Sequence, residues 1–377
     1  MKRSRGLWRV SLLVLALGLV AAACGGTDDT TTTQGPTTTA ATAEATTTTA
    51  ATETTEAEAM DFGDPVTLTL GHPFPEQHPI HQGALIPFAE AVNEGTNGTV
   101  TVEFHPGGAL APAPQVYDNT QVGGQDIGWA LQGYSAGRFP ATEIIELPFQ
   151  FESAVQATEI LWTLYDEFPE LQAEYADAKL LGLWVHDIGD MWTKDKKVET
   201  LEDIQGLNLR FPTPVIGDLI AEMGGVPVGM PAPQIFDSLS TGVIDGLMIA
   251  VSGLQSFQLY DELAFGVECN CYVAAQWLTM NQDSWDALTP DAQAVIEKEA
   301  GRTVSLQAAT VYDGAYARVS EIAVEEGVEK LVLPADELDR WHAVGDTVIA
   351  NWIAEREGQG LPGQAMFDRM QELIAAG

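Results

Sequence analysis

The stretch LEDIQGLNLRFPTPVIGDLIAEMGGVPVGMPAPQIFDSLSTGVIDGLMIA, residues 201–250, decides the fold of this chain. Short apolar runs in it alternate with segments of helical spacing. Each of those segments opens with a proline, which the first turn of a helix tolerates. The pattern predicts strands at 207–211, 225–228 and 243–249 and helices at 214–223 and 233–239. Strands that alternate with helices are typical of a parallel sheet.

The chain on both sides of this stretch continues the same alternation. The predicted strands are 66–70, 99–104, 126–131, 179–186, 266–273 and 276–281, and the predicted helices are 80–94, 115–122, 153–168 and a single long helix at 292–325. We therefore expect an α/β protein of two lobes joined by a hinge, with long C-terminal helices. Lobe I would comprise 64–187 with 276–315, and lobe II 188–275 with 316–377. A cleft between two lobes is a common place for a small ligand.

The composition excludes several classes of function. The chain has 54 acidic and 17 basic residues, a formal net charge of −37. Sequence-independent binding of nucleic acid needs a basic face and is therefore excluded. The same charge argues against docking on anionic lipid through a basic patch. Hydrophobic residues make up 45% of the chain, which excludes wholesale disorder.

The N-terminus, MKRSRGLWRVSLLVLALGLVAAACGG, resembles the signal peptide of a bacterial lipoprotein. Its apolar run is too short to span a bilayer comfortably, and small residues stand before Cys24. We expect signal residues 1–23 to be removed, Cys24 to be lipidated and the protein to be anchored outside the cytoplasm. A plain secretory signal, with Cys24 as a bystander, is the alternative. Residues 24–63, rich in Thr, Ala and Glu, are predicted to form a disordered tether.

The stretch 201–250 is similar to the signature of the TRAP transporter solute-binding proteins, the DctP-like family. The matching motifs are E-D-I-x-G-L-x-L-R-F-P, G-G-V-P-V-x-M and I-F-x-S-L-x-T-G-V-I-D-G, and segments 106–130, 137–151 and 280–300 fit the same pattern. The resemblance implies a monomeric, periplasmic-binding-protein-like fold without a cofactor or enzymatic activity. It also implies that the lobes close on an organic carboxylate and deliver it to permease subunits driven by an ion gradient. A binding protein of an ABC-type transporter or of a sensor system is the alternative.

Arg210 is the residue on which this resemblance and the local sequence agree. In the family, the arginine at this position of the motif holds the carboxylate of the ligand. Arg210 also follows apolar residues 207–209, which places it at the carboxyl end of a strand, where open α/β sheets bind ligands. A guanidinium can form two parallel hydrogen bonds with a carboxylate. The alternative is a structural ion pair with Asp or Glu.

Two departures from the family pattern bear on the ligand. Relatives that bind sialic acid carry a second arginine before the motif arginine, whereas residues 186–192 contain none. They also carry an asparagine shortly after the V-D-G motif, where this chain has Leu247-Met248-Ile249. We therefore expect a monocarboxylate with an apolar or aromatic part, or one smaller than a sialic acid.

Aromatic residues near predicted strand ends are candidates for the walls of the cleft, because ligand pockets are lined mainly by apolar and aromatic groups. Each of them can instead belong to the core, which is the commoner place for such a residue. The candidates are His72, Phe74, Trp129, Phe149 and Trp192.

Two further patterns raise other chemistries. Residues 133–137, Gly-Tyr-Ser-Ala-Gly, have the form of a hydrolase nucleophile elbow, which would make Ser135 catalytic. That elbow needs a helix immediately after the serine, and a nearby proline opposes one, so a serine hydrolase is the third hypothesis. His72, His78 and His81 are close in sequence, but the prolines between them predict a loop at the mouth of the cleft rather than a metal site.

Cys269 and Cys271 are separated by one residue in a predicted strand. Residues i and i+2 of a strand have Cα atoms about 7 Å apart, which is too far for a relaxed disulfide. We expect two buried thiols.

Overall fold

The computed structural model describes residues 60–376. The predicted signal peptide, Cys24 and the tether up to residue 59 lie outside this range. The strands of the described range are β1 Val66–Gly71, β2 Val100–His105, β3 Ile127–Leu131, β4 Lys179–Val185, β5 Gly189–Thr193, β6 Asn208–Phe211, β7 Val226–Gly229, β8 Gly246–Ala250, β9 Phe265–Tyr272, β10 Ala275–Met280 and β11 Glu329–Val332.

Twelve α-helices connect and cover these strands in the described range. They are α1 Ile86–Gly95, α2 Val116–Gln121, α3 Ala154–Glu167, α4 Pro169–Ala173, α5 Pro214–Glu222, α6 Ile235–Ser240, α7 Val251–Ser256, α8 Gln282–Asp286, α9 Pro290–Glu299, α10 Arg302–Glu325, α11 Ala335–Gly358 and α12 Gly363–Ala376. Across residues 60–376, no helix combines the length and the apolar character that crossing a membrane requires.

The first sheet has the strand order β2-β1-β3-β10-β4. β1 runs parallel to β2 and β3, with Leu70 opposite Phe104 and Ile127, whereas β10 runs antiparallel to β3 and β4. Every residue of β3 and of β10 is buried. Strands buried on both faces are typical of a sheet that helices cover on each side.

The second sheet has the strand order β11-β9-β5-β8-β6-β7. β6 is parallel to β7 and β8, so the stretch that decides the fold forms one parallel half of this sheet. β5 is antiparallel to β8 and β9. Each sheet with its helices forms a lobe, and within the described range the chain passes between the sheets after β4, after β9 and again before β11.

α10 spans the two lobes. Near its start, Ser305 Oγ accepts a hydrogen bond of 2.9 Å from the backbone N–H of Leu183 on β4. Near its end, Val319 and Ala323 pack in the core of the second lobe with Trp192. One helix therefore touches both sheets.

α11 and α12 form a helical pair that also touches both lobes. α11 packs against α5 beside the second sheet, and its Arg340 pairs with Glu202 of that lobe. α12 packs against α3 beside the first sheet, where Arg369 pairs with Glu167. The predicted lobe II took in the whole segment 316–377, whereas α12 lies on the first lobe.

The long helix predicted at 292–325 is wrong, because the chain breaks it at Gly301. Gly301 has φ of 60°, a conformation that favours glycine, and α9 ends before it while α10 begins after it. The sequence pattern also missed β5 and β11. β5 opens with Gly189-Asp190, which do not read as strand residues, yet all five of its residues are buried between β8 and β9.

The expectation of two free thiols is wrong, because Cys269 and Cys271 form a disulfide. Their Cα atoms are 4.9 Å apart, closer than in a regular strand. Asn270 between them has φ of 46°, and the pairing of β9 with β5 is irregular at this point. Asp190 Oδ1 stabilises the irregular turn, since it accepts hydrogen bonds of 3.0 Å from the backbone N–H groups of Cys269 and Asn270.

Candidate ligand-binding site

A cavity lies between the two sheets. Small-molecule sites occur preferentially at such interfaces between lobes. Both lobes contribute its walls, through strand ends, the loops that follow them and α10. The lining residues are Phe74, His78, Leu131, Tyr134, His186, Arg210, Pro212, Ala232, Ile249, Ala250, Ser252, Gly253, Phe257, Tyr272, Gln276 and Tyr312.

Arg210 on β6 brings a positive charge to this cavity. Its side chain is held from behind, where Nε donates to the carbonyl oxygen of Met230 at 3.0 Å and Nη1 to that of Met248 at 2.9 Å. Arg210 is only 1% exposed. Because two backbone carbonyls orient the guanidinium, it points into the cavity without help from a ligand.

No carboxylate of the described residues pairs with Arg210. Burial lowers the pKa of Arg210 from its ordinary value, although Tyr134 and Tyr272 oppose that shift. A guanidinium nevertheless stays protonated in proteins. A buried charge without a partner is costly, so an anion in the cavity would be its natural counterion. Other arginines do have carboxylate partners: Arg138, Arg302, Arg340, Arg356 and Arg369.

Three tyrosines, Tyr134, Tyr272 and Tyr312, line the cavity, and each can still donate its hydroxyl proton to a ligand. Tyr134 Oη accepts from the backbone N–H of Ala232 at 3.0 Å, and Tyr312 Oη accepts from Gln276 Nε2 at 2.7 Å. Tyr272 Oη has no partner among the described residues. Burial raises the pKa of all three phenols above the ordinary value. The phenols therefore stay protonated and suit an acceptor such as a carboxylate.

Phe74 lines the cavity as the sequence predicted, whereas Trp129 and His72 lie behind it. The rings of Phe74 and Trp129 have centroids 4.4 Å apart. Trp129 Nε1 donates to Gln276 Oε1 at 2.8 Å, and this bond orients the amide of Gln276 in the cavity wall. His72 packs against Trp129 and its Nε2 lies 2.9 Å from Nδ1 of His81. Trp129 and His72 therefore support the wall without being part of it.

Phe149 and Trp192 do not line the cavity, so the structure corrects their expected place in its walls. Phe149 packs against His342 of α11, with ring centroids 4.8 Å apart. Trp192 lies in the core of the second lobe, where its ring covers Gly266. Trp192 follows the lobe crossing in sequence, but it is part of β5, a strand that the sequence did not predict. In that strand its side chain points into the core of the second lobe.

Two neutral histidines, His78 and His186, line the cavity. Burial lowers the pKa of His78 to about 3, and the charges of His81 and His186 add to that effect. Burial also lowers the pKa of His186 to about 4. The hydrogen bond to the carbonyl of Asp187 opposes this shift, and the positive charge of Arg210 adds to it. At neutral pH both rings are therefore uncharged, and Arg210 remains the positive group.

Sequence reasoning missed most of the polar lining residues. His186 comes directly after β4, and Tyr134 ends the short turn that follows β3, so the carboxyl ends of those strands were the available signal. Tyr312 lies in the middle of a long helix and carries no such signal. The missed residues are Tyr134, His186, Tyr272, Gln276 and Tyr312.

The geometry of a nucleophile elbow is not formed at Ser135. A 3₁₀ turn, Gln132–Tyr134, precedes the serine, and no helix begins immediately after it. Ser135 faces a separate small pocket with Glu143 and Glu146, and no histidine of the described residues lines that pocket. Within residues 60–376, no group of three or more His, Cys, Asp and Glu side chains is arranged to hold a metal ion.

Comparison with known proteins identifies the family. The model of the bacterial extracellular solute-binding proteins of family 7, DctP, matches residues 70–356. The chain belongs to this DctP family. The predictions of a TRAP solute-binding protein and of a two-lobed α/β fold are therefore confirmed, and the family is one of extracellular transport proteins rather than enzymes.

Solved structures of TRAP solute-binding proteins share this DctP-family fold. A protein from Rhodoferax ferrireducens T118 with copurified benzoate is 30% identical, with 82% of this chain and 98% of that chain covered and a TM-score of 0.79. A marine metagenome protein specific for aromatic acid ligands, with 3-hydroxybenzoate, is 28% identical over 83% and 99% of the chains, with a TM-score of 0.79. A Bordetella bronchiseptica protein with bound (R)- and (S)-mandelate is 25% identical over 83% and 99%, with a TM-score of 0.78.

Proposed function

We propose that this DctP-family protein captures an aromatic monocarboxylate in the cavity between its lobes. The observation that carries the proposal is Arg210, a buried cation that is oriented by backbone carbonyls and lacks a carboxylate partner in the described chain. The ligand carboxylate would receive hydrogen bonds from Arg210 and from the neighbouring phenols. Each charge-assisted bond contributes about 1.5–3 kcal/mol.

The apolar part of the ligand would lie among aromatic rings. Phe74 and Phe257 line the cavity together with aliphatic side chains, and Arg210 is the one charged side chain among the described lining residues. One positive group suits one carboxylate, and an apolar wall favours a ring over a sugar. The ligands named for the relatives, benzoate, 3-hydroxybenzoate and mandelate, are all aromatic monocarboxylates.

Ligand binding would close the lobes. Arg210 comes from the second lobe, whereas Phe74 and Gln276 come from the first, so a ligand that touches all three bridges the cleft. A ligand that contacts both lobes only when they are closed shifts the open–closed equilibrium towards closure. Small-angle X-ray scattering should show a smaller radius of gyration after addition of a binding acid. An unchanged radius would contradict closure.

The test of the ligand class is a panel measured by thermal shift and calorimetry on the purified protein after exhaustive dialysis. Benzoate, phenylacetate and mandelate are compared with succinate, glucuronate and sialic acid. We expect the aromatic monocarboxylates to bind at least about tenfold more tightly, because only they match one cation and an apolar wall. Stabilisation by succinate or glucuronate alone would contradict the proposal.

Delivery to TRAP permease subunits, and anchoring through lipid on Cys24, complete the proposed function. The family supports the permease partnership, and the sequence before Cys24 supports the anchor. Cys24→Ser should release the protein from membranes in a cell fractionation, because the residue that carries the lipid is lost. An unchanged membrane fraction would contradict the anchor and leave the ligand proposal untouched.

A further inference from the structure

The hydrogen-bonding groups of the cavity do not all suit a carboxylate. Arg210 and the phenols of Tyr134, Tyr272 and Tyr312 can donate, and a carboxylate can only accept. These groups match each other. His186 is different, because its free ring nitrogen, Nε2, is a hydrogen-bond acceptor. A carboxylate has no proton to donate to it.

The acceptor character of His186 follows from its contact with the next residue. Nδ1 of His186 lies 2.5 Å from the carbonyl oxygen of Asp187. A carbonyl oxygen has no proton to donate, so the proton of the neutral ring is on Nδ1. Nε2 is then an acceptor, and no donor of the described residues is bonded to it. The ring is buried and lines the cavity.

His78 lines the same cavity with the opposite polarity. Its Nδ1 lies 3.3 Å from the backbone N–H of Ile80, which can only donate. The proton of the neutral ring is therefore on Nε2, and His78 offers a donor to the cavity. The two histidines thus differ in what they can bind, although both are buried and uncharged.

A ligand that satisfies His186 needs a donor in addition to its carboxylate. A second carboxylate or an ether oxygen would place a lone pair against that of Nε2. An ammonium group would need a carboxylate partner, and none of the described lining residues supplies one. A neutral hydroxyl meets both conditions, because it donates and carries no charge.

We infer that the ligand is an aromatic monocarboxylate that carries a hydroxyl group, with the carboxylate on Arg210 and the hydroxyl donating to Nε2 of His186. This inference rests on the proposed function and narrows it. An acid without the hydroxyl leaves a buried acceptor unpaired, and a methoxy acid replaces the donor by a second acceptor. Sites built to bond a hydroxyl reject analogues that lack it.

The first experiment uses the unmodified protein and matched sets of acids in calorimetry. Benzoate is compared with its three monohydroxy isomers and their methoxy ethers, and phenylacetate with mandelate. We expect at least one hydroxy acid to bind about tenfold or more tightly than its parent, and the methoxy ether to lose that gain. Equal affinity of parents, hydroxy acids and ethers would overturn the inference and leave the proposed function standing. Failure of every aromatic acid to bind would overturn the proposed function itself.

The second experiment asks whether His186 causes the preference. His186→Phe keeps a ring and removes the acceptor, so the ratio of affinities for hydroxy acid and parent should fall to about one. His342→Phe is the matched control, because His342 packs against Phe149 outside the cavity and the same exchange there should leave the ratio unchanged. Circular dichroism melting checks that both variants fold. A preference that survives in folded His186→Phe would overturn the assigned role, and the acid series on the unmodified protein decides the ligand class if that variant does not fold.

Discussion

Arg210 and Arg356 are both buried, at 1% and 6% exposure, but their surroundings differ. Arg356 on α11 pairs with Glu143 and with Glu355, and its Nε donates to the carbonyl oxygen of Pro140 at 3.0 Å. Arg210 donates to two backbone carbonyls and lies beside the hydroxyl of Tyr134, and it has no carboxylate partner among the described residues. Arg210 lies in the cavity between the lobes. Arg356 lies where the C-terminal helix α11 contacts the rest of the protein.

The difference shows how a buried cation can be assigned to folding or to binding. Breaking a buried ion pair leaves an uncompensated charge and destabilises the fold, so Arg356 belongs to the structure. A buried cation without a carboxylate costs stability in the free protein and can recover it with an anionic ligand. Substitutions at the two arginines should therefore separate an effect on ligand affinity from an effect on stability.

The largest expected effect is on affinity at Arg210. Arg210→Met should weaken binding of an aromatic monocarboxylate by about 3–6 kcal/mol, the sum of two charge-assisted bonds. Arg210→Lys should weaken it less, because an ammonium keeps the charge without the planar fork. Calorimetry measures the affinity. Urea unfolding of the ligand-free Arg210→Met protein should show no loss of stability, and a loss as large as that of Arg356→Met would break the comparison.

The next effect is on stability at Arg356. Arg356→Met should lower the free energy of unfolding by about 3 kcal/mol, because Glu143 is left buried without its partner. The double variant Arg356→Met/Glu143→Gln should recover part of that loss. Urea unfolding gives both values, and ligand affinity of the folded protein should stay within about threefold of the original. If Arg356→Met lost affinity and kept stability, the two arginines would have exchanged roles.

Two glycines provide a smaller, matched test of the two regions. A Cβ at Gly189 would lie 2.2 Å from Cε1 of Tyr272 in the cavity wall, and one at Gly345 would lie 2.6 Å from Cδ2 of Phe149 beside α11. Both alanines overpack, which costs about 1–3 kcal/mol. Gly189→Ala should also reduce affinity, about tenfold, because it displaces Tyr272. Gly345→Ala should reduce stability and leave affinity unchanged, and an equal loss of affinity in both would contradict the separation.

The smallest effect concerns pH and Glu146, which neighbours Glu143. Glu146 is buried, its Oε1 accepts from the backbone N–H of Ala275 at 3.0 Å, and burial, followed by the charge of Glu143, raises its pKa to about 8. In the unfolded chain the pKa of this carboxyl is near 4.5. Glu146 therefore makes its full contribution to the free energy of unfolding below pH 4.5. That contribution is lost as the pH rises from 4.5 to 8.

Glu146→Gln tests this dependence, because the amide keeps the shape and does not titrate. The free energy of unfolding of the original protein should fall by about 1–2 kcal/mol more than that of the variant between pH 5 and pH 8. Urea unfolding at the two values of pH measures the difference. Parallel curves for both proteins would show that Glu146 is not the source. Ligand affinity should be the same in both, since Glu146 does not line the cavity.

The sequence by itself determined most of the strands and helices, the family and the position of Arg210. Periodicity and the prolines of 201–250 were enough for β6 to β8, because those signals are local. The position of Arg210 at a strand end was local too. Gly301 and the start of β5 show the limit, since one positive φ splits a helix and packing makes a strand of Gly189-Asp190.

Only the tertiary structure decided which residues meet in the cavity. Tyr134, His186, Tyr272 and Tyr312 lie far apart in sequence and come together because two sheets and α10 converge there. Which ring nitrogen of His186 is the acceptor depends on its contact with the backbone carbonyl of Asp187. The sequence alone does not predict that contact. The disulfide of β9 likewise depends on Asp190 of another strand, which stabilises the turn that brings the cysteines together. Contacts between distant segments arise from packing in the folded chain, and the local spacing of residues does not predict them.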